Sequence, residues 1–297
     1  MKRFSPDGKT VFALDRLTNL VLRTIPKNLV VEKEFNTVIN RDGKKERWAE
    51  ARLAEVDNAA KLAMEKLDSD ADLSREERWA LSFFIGFAES RGKGFREEAK
   101  ESGFHDEYNR EIAGSVGSSI PLDPVTKKRL EDAFLAASGI WVDAATLVRM
   151  AREEMSLIAE GGANIAATTS MGFELSGQVF QSNWVLGISQ PDSLFITSDR
   201  PIGLWRPQRG PARTPKEQGI FKIFPISPTR ALLMFDPVRS PILLHQTLDG
   251  KVVRLLNAAV VTRSHRYIIG SSESILRLSV ADSRRLPLDK SDDSQLL

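Results

Sequence analysis

The spacing of apolar and polar residues divides the chain into a helical part followed by a strand-rich part. Between about residue 45 and residue 162, apolar residues recur at intervals typical of amphipathic helices. From residue 163 to about residue 280, short apolar runs alternate with turn residues, as in strands. The pattern predicts a single α+β domain over residues 1–280, with the helical part packed on a small, mainly antiparallel sheet and with a C-terminal helix.

Local signals predict where the helices begin and end. Ser74 and Glu77 have the spacing of a capping box, in which each side chain satisfies an unpaired amide at a helix start. Asp123-Pro124 marks another start, and Gly161-Gly162 marks an end. Asp249-Gly250 begins the last predicted helix. The helix that precedes Ser74 is predicted from apolar residues at helical spacing: Leu53, Val56, Ala60, Ala63, Met64 and Leu67.

The predicted strands are short and separated by turns. Residues up to about 40 are predicted to be irregular with some extended structure, and residues 281–297 to form a polar tail. A Gln-Pro-Asp turn at residues 190–192 is expected to join two of the strands. The strands are expected at Thr10–Leu14, Trp184–Ile188, Leu194–Thr197, Ile220–Phe224, Ala231–Phe235 and Tyr267–Ile269.

Composition excludes several classes of site. The chain of 297 residues has no Cys, which removes disulfides, thiolate metal sites and cysteine nucleophiles, and its three His argue against a site that needs several imidazoles. The net charge of +2 predicts no general attraction to nucleic acid or membranes, so an electrostatic partner has to be inferred from local clusters. No apolar run has the length of a signal sequence or a spanning helix, so we expect a cytoplasmic protein with no membrane partner.

Asp199 and Arg91 are two candidate site residues. Asp199 ends an apolar run and precedes Arg200-Pro201; it is the candidate catalytic residue, as a metal ligand or general base. An Asx-type turn is the alternative. Arg91 follows the apolar face of its predicted helix, where a guanidinium group requires an anionic partner. That partner is Asp199, an internal Glu, or a phosphate or carboxylate of a ligand, and we expect Arg91 and Asp199 to lie about 4–6 Å apart or to share a cavity.

Asn257 and Arg266 are the other candidate ligand-binding residues. Asn257 lies on a flank of the predicted helix with Val253 and Val260, and a semi-buried Asn makes a specific hydrogen bond to backbone or ligand. Arg266 follows this helix, where its charge suits an anionic ligand or the helix dipole. We expect Asn257→Ala to lower stability and Asp199→Ala to leave it nearly unchanged.

The segment Arg200–Lys216 is rich in Pro and basic residues. Together with Trp205, its cations predict either contacts with nucleic-acid phosphates and a base or a solvated, Pro-stiffened loop. The basic residues are Arg200, Arg206, Arg209, Arg213 and Lys216.

The order of four short segments resembles a bacterial family known as domain of unknown function 4238. The segments are Leu194–Pro201, Phe224–Pro228, Val253–Asn257 and Ser264–Tyr267, in which Asp199, Ser227-Pro228, Asn257 and Arg266 match the family pattern. The resemblance extends to Arg3-Phe4 at the end of the first family element, to Glu55 or Asp57 as the acid of the first helix, and to Arg91. The family's His-Tyr-apolar-Pro block has no counterpart before Arg3. The resemblance implies a fold and a site, but no reaction.

The sequence leaves two classes of function open. Phosphate-loop, nucleophile-elbow and His-Glu-x-x-His motifs are absent, which excludes conventional NTPases, α/β-hydrolases and zinc proteases. We expect a protein that binds a phosphate- or carboxylate-bearing ligand between its helical and sheet parts. An enzymatic version would be a divalent-metal phosphodiester hydrolase with Asp199 as ligand; no specific metal or cofactor is assigned. The alternative is a non-catalytic partner-binding or structural protein in which these residues stabilise the fold.

Overall fold

The computed structural model of the protein describes most of the chain outside residues 96–162. The described residues are 2–30, 38–39, 45–46, 48–90, 95, 124–125, 127–129, 131–132, 143–144, 163–206, 210–211, 220–235 and 243–285. Within them the helices are α1 (Lys27–Val30), α2 (Trp48–Asp68), α3 (Arg75–Ser90), α4 (Ala163–Gln181), α5 (Gly250–Arg263) and α6 (Glu273–Arg285), and Lys2–Phe4 forms a short 3-10 helix.

The strands of the described residues form two main sheets and one small hairpin. One sheet has the order β2-β1-β12-β6 and is antiparallel throughout; the other has the order β11-β5-β10-β9-β7-β8 and is parallel only between β11 and β5. The hairpin joins β3 and β4. The bounds are β1 (Val11–Asp15), β2 (Leu20–Thr24), β3 (Val38–Ile39), β4 (Lys45–Glu46), β5 (Asn183–Ser189), β6 (Thr197–Ser198), β7 (Gly203–Arg206), β8 (Gly210–Pro211), β9 (Phe221–Ser227), β10 (Arg230–Phe235), β11 (Leu243–Leu248) and β12 (Tyr267–Gly270).

The strands β9 and β10 in the middle of the six-stranded sheet are buried on both faces. Leu232 and Met234 of β10 face a core with Leu81 and Ile85 of α3, whereas Leu233 points the opposite way into a second core. This alternation follows from the two-residue period of a strand. The second core is shared with α5 and the four-stranded sheet, and a third core joins that sheet to α6. The α+β class predicted from the sequence is confirmed.

Two of the predicted start signals, those at Ser74 and Asp249, are confirmed in atomic detail. The Glu77 amide donates to Ser74 Oγ at 3.2 Å, and the Ser74 amide donates to Glu77 Oε2 at 2.8 Å, which completes the capping box of α3. Asp249 Oδ1 accepts from the amides of Lys251 and Val252 at 2.7 and 3.0 Å at the start of α5.

Three features of the structure differ from the prediction, and a fourth prediction is not tested. Helix α4 occupies residues 163–181, which the sequence analysis placed in the strand-rich part, because its many Ala, Ser, Thr and Gly residues give a weak helical pattern. Helix α6 was not predicted from the sequence, and it extends to Arg285, beyond the expected start of the polar tail. The strand expected at Leu194–Thr197 is reduced to β6, because Leu194 and Ile196 bond to a side chain of α5. Helices expected from Asp123-Pro124 to Gly161-Gly162 lie largely outside the described residues.

Candidate functional site

Asp199 joins two distant parts of the backbone. Its Oδ1 accepts from the amide of His265 at 3.0 Å, and its Oδ2 accepts from the amides of Arg266 and Tyr267 at 2.7 and 2.9 Å. The Asp199 amide donates in turn to the Tyr267 carbonyl at 3.1 Å. The carboxylate therefore fixes the loop between α5 and β12, rather than closing a local Asx turn as the alternative prediction supposed.

Asn257 also bonds to backbone. Its Nδ2 donates to the Leu194 carbonyl at 2.9 Å, and its Oδ1 accepts from the Ile196 amide at 3.1 Å. The side chain is 2% exposed and replaces the strand partner that residues 194–196 would otherwise need. The sequence left a hydrogen bond to backbone or to a ligand open for Asn257. In the structure the Asn257 side chain bonds to backbone.

Arg266 pairs with a carboxylate of strand β1. Its Nη2 and Nε donate to Asp15 Oδ2 at 2.8 and 3.1 Å, and its guanidinium carbon lies 4.8 Å from the centre of the Tyr267 ring. The hydrogen bond to Asp15 raises the pKa of Arg266. The same bond lowers the pKa of Asp15, against the opposing effect of burial. Nearly half of the Arg266 side chain remains exposed, so it can meet a second anion.

Arg266 belongs to a group of arginines that we call the surface cluster: Arg16, Arg266 and Arg284. Arg16 Nη1 donates to Ser264 Oγ at 3.1 Å and to the Ser264 carbonyl, which holds its guanidinium group beside the loop fixed by Asp199. Burial lowers the pKa of Arg16, Asp199 opposes this change, and the nearby charge of Arg284 lowers it further. The three residues come from the β1–β2 turn, the α5–β12 loop and the last turn of α6.

A second charged group lies in the interior, and we call it the interior cluster: Glu89, Arg200 and Arg263. Glu89 Oε1 accepts from Arg200 Nε at 2.8 Å and from Arg263 Nη2. All three residues are buried, and they come from α3, the segment after β6, and the end of α5. Burial alone would raise the pKa of Glu89, but the charges of Arg263 and Arg200 outweigh it and lower the pKa below its usual range.

Sequence reasoning missed the interior cluster, although a signal for it exists. Glu89 follows Leu81 and Ile85 at intervals of four residues, so the helical period places it on the buried face of α3. A carboxylate at such a position requires cationic partners. Within the described residues, Glu89 Oε2 and the neighbouring Ser90 Oγ are buried without a hydrogen-bond partner.

Several predicted residues lie elsewhere or cannot be placed. Arg91 is outside the described residues, so its expected proximity to Asp199 stays a prediction. Glu55 and Asp57 are exposed on α2.

The basic segment Arg200–Lys216 is not a uniformly exposed loop. Arg200 and Arg206 are buried, and Trp205 is a β7 residue packed against the second core. The many Pro and basic residues of this segment predicted that both arginines would be exposed. Arg200 is buried because it pairs with the buried carboxylate of Glu89. Arg209, Arg213 and Lys216 lie outside the described residues.

Two further features bear on the class of site. In the part of the chain that the structure describes, no three His, Cys, Asp or Glu side chains gather in a way that could hold a metal ion. No helix of the same part is long and apolar enough to cross a membrane.

Comparisons with known proteins give a family but no characterised relative. No curated protein and no solved structure matches the chain significantly. The model of a family described as protein of unknown function (DUF4238) matches residues 1–274. This match covers Asp199, Asn257, Arg266 and both clusters except Arg284. The chain therefore belongs to the DUF4238 family.

Proposed function

We propose that the protein binds an anionic ligand through a phosphate or carboxylate group, and that the surface cluster contacts this group. The observation that carries the proposal is that exposed arginines from distant segments lie near one another: the Arg16 amide bonds to the Arg266 carbonyl at 2.9 Å, and Arg284 is near enough to Arg16 to add to the lowering of its pKa by burial. Like charges repel, so a fold that holds Arg16 close to Arg284 gains from an anion that lies between them. Guanidinium groups suit this role because their planar donors match carboxylate and phosphate oxygens.

The hydrogen bonds around the surface cluster supply rigidity. Asp199 fixes the amides of residues 265–267, Asp15 orients the Arg266 guanidinium, and Ser264 holds Arg16. A preorganised set of donors loses little conformational entropy when an anion binds. Asp199 therefore supports the proposed site as a positioning residue.

The interior cluster is less suited to an external anion. The Glu89 carboxylate already lies between the guanidinium groups of Arg200 and Arg263, and the side chains of all three are less than a tenth exposed. A second anion there would meet the charge of Glu89 as well as a desolvation cost. The sequence predicts a site between the helical and sheet parts. The proposed site lies instead at the surface beside α6.

The hydrolase version has less support than anion binding alone. The proposed metal ligand, Asp199, already accepts three amide hydrogen bonds, and a magnesium site favours one or two carboxylates with waters. A purely structural role for the family motif is favoured by the backbone bonds of Asp199 and Asn257. A purely structural role predicts no anion binding at all, so one binding experiment distinguishes it from the proposed anion site.

Isothermal titration at low ionic strength with inorganic phosphate and with citrate tests the proposal. We expect both anions to bind the wild-type protein, and Arg284→Gln to weaken binding about fivefold because one exposed cation is lost. Arg75→Gln is the matched control, since Arg75 is an exposed arginine at the start of α3, on another helix. Absence of binding to the wild type, or equal weakening by both substitutions, would contradict a specific site.

A further inference from the structure

The hairpin of β1 and β2 presents three leucines to solvent, one in its turn and two on β2. Leu17 is 77% exposed and Leu20 is 60% exposed, and Leu22, on the same face of β2 as Leu20, is 44% exposed. β2 is the edge strand of its sheet among the described residues. Large aliphatic side chains this exposed are common singly, but a contiguous set at the tip of a hairpin indicates a contact surface.

The hairpin tip is held in one conformation. The Arg16 amide donates to the Arg266 carbonyl at 2.9 Å, the Leu17 amide to Asp15 Oδ1 at 2.9 Å, and the Asn19 amide to the Asp15 carbonyl at 2.7 Å. Asn19 has a φ of 57°, a left-handed conformation that Asn accepts more readily than most residues. The leucines are therefore presented by a fixed turn.

The surface cluster lies directly beside these leucines. Arg16 precedes Leu17 in the turn, the Arg266 carbonyl accepts from the Arg16 amide at 2.9 Å, and the charge of Arg284 is near enough to contribute to the lowered pKa of Arg16. Arg285 follows Arg284 in the last turn of α6 and is exposed. The net charge of +2 for the whole chain does not reveal this local concentration of arginines beside apolar side chains.

We propose that the hairpin tip and the surface cluster form a docking surface for a membrane that contains anionic lipids. Leu17 and Leu20 enter the boundary between headgroups and acyl chains, while Arg16, Arg266 and Arg284 contact lipid phosphates. This inference rests on the proposed anion binding and identifies the source of the anion. It concerns binding at the membrane surface, involves no spanning segment, and departs from the sequence-based expectation of no membrane partner.

The shape of the tip favours a lipid surface over an acidic peptide. A peptide that recognises apolar side chains binds in a groove or adds a strand to a sheet edge; β2 is such an edge among the described residues, but Leu17 lies in the turn beyond it. The leucine at the end of the turn, Leu17, protrudes instead, and a protruding apolar side chain flanked by cations matches the requirements of interfacial binding. The exposed arginines favour an anionic lipid because their charge is complementary to its headgroup. The exposed leucines favour a membrane because its apolar interior can accept them.

Co-sedimentation with vesicles tests the inference with the full chain. We expect binding to vesicles of phosphatidylcholine mixed with phosphatidylglycerol, and little binding to phosphatidylcholine alone. Leu17→Ser is expected to weaken binding about tenfold because an inserted aliphatic side chain is lost. Arg284→Gln is expected to weaken it about fivefold. Leu62→Ser and Arg75→Gln are the controls, since Leu62 is 61% exposed on α2 and Arg75 is exposed on α3.

The outcomes separate this inference from the proposed function. If phosphate and citrate bind but the mixed vesicles do not, the membrane inference fails and anion binding stands. If Leu62→Ser weakens vesicle binding as much as Leu17→Ser, the tip is not the docking surface. If vesicles bind and Arg284→Gln has no effect on vesicles or on phosphate, the surface cluster is not the anion site. Binding of poly-glutamate that depends on Leu17, without vesicle binding, would identify an acidic polypeptide as partner instead.

Discussion

Asp199 and Asn257 connect backbone segments that are far apart in the sequence. Asp199 bonds to residues 265–267, and Asn257 bonds to residues 194 and 196. Together they attach the segment around β6 to both ends of the region from α5 to β12. Asn257 satisfies buried and half-buried backbone groups that have no strand partner at that position, whereas Asp199 bonds to two exposed amides and one half-buried amide.

We predict that Asp199→Ala and Asn257→Ala each lower the free energy of unfolding by roughly 1–3 kcal/mol, because backbone groups lose their hydrogen-bond partners. For Asp199 this replaces the sequence-based expectation of a nearly neutral substitution. Urea denaturation followed by circular dichroism gives the measurement. Lys251→Ala, an exposed position on α5, serves as the control and should be close to neutral. A neutral Asp199→Ala would show that the three amides find water instead.

Residue roles were harder to predict than residue positions. The sequence identified the segments around residues 199, 257 and 266 as polar margins of apolar runs, and these segments do meet in the structure. It could not predict the partners, because Asp199 bonds to amides 66–68 residues away. Glu89 was not predicted as a site residue, because charged side chains were expected on the exposed faces of the helices. Its position on the buried face of α3 was not taken as a sign of a buried ion pair.

At the scale of elements, α3 and α4 approach each other closely through small residues. A Cβ atom added to Gly86 would lie 2.5 Å from the Gly172 carbonyl oxygen and 2.7 Å from the Ser176 amide nitrogen. Both of these atoms are backbone, so they cannot move without shifting α4. Next to this contact, Phe83 and Phe87 of α3 pack against Phe173 of α4 with ring centres 5.1 and 5.6 Å apart.

We predict opposite effects for two Gly→Ala substitutions in this helix pair. Gly86→Ala should destabilise the protein by about 1–3 kcal/mol or more, because the added methyl group has no space between the helices. Gly177→Ala should be neutral or stabilise it by up to about 1 kcal/mol, because nothing lies within 4 Å of the added Cβ and Ala favours the helix. Thermal melts of both variants provide the comparison. Similar losses for both would show that the helices do not pack as described.

Element prediction succeeded where local chemistry determines the boundary. The capping box of α3 and the Asp249 cap of α5 depend on residues within three positions of each other, so the sequence contains all the necessary information. Helix α4 is stabilised by packing against α3. This close packing requires small residues, and the same small residues weaken the apolar pattern of α4. Its existence therefore could not be predicted from periodicity alone.

At the scale of the whole molecule, the interior cluster is a buried ionic connection between layers that also share apolar contacts. Glu89 belongs to the helical layer, Arg200 to the segment after β6, and Arg263 to α5 on the other side of the six-stranded sheet. Removing one partner of a buried ion pair leaves an uncompensated charge, and the cost is greater than the net contribution of the intact pair. This asymmetry makes Glu89 the position at which the packing of the layers is most sensitive to charge.

We predict that Glu89→Gln lowers the stability by roughly 3–5 kcal/mol near neutral pH and changes its dependence on acid. The folded-state pKa of Glu89 is below its usual value, so the unfolded state binds more protons as the solution is acidified. The contribution of Glu89 is therefore complete above the ordinary carboxyl pKa of about 4.3 and is lost as the pH falls through the lower folded-state value. The stability of the wild type should decrease more steeply with acid than that of Glu89→Gln, because Gln does not titrate.

Urea unfolding at a series of pH values from about 6 to about 3 measures this difference. Asp15 also has a lowered pKa and remains in both proteins, so the variant retains part of the acid dependence. Glu174→Gln, at an exposed position on α4, should reproduce the wild-type pH profile and separates the effect of burial from the loss of any carboxylate. Parallel profiles for the wild type and Glu89→Gln would mean that Glu89 is not ionised between Arg200 and Arg263. In that case another anionic group would have to neutralise Arg200 and Arg263, and that group, not Glu89, would connect the layers.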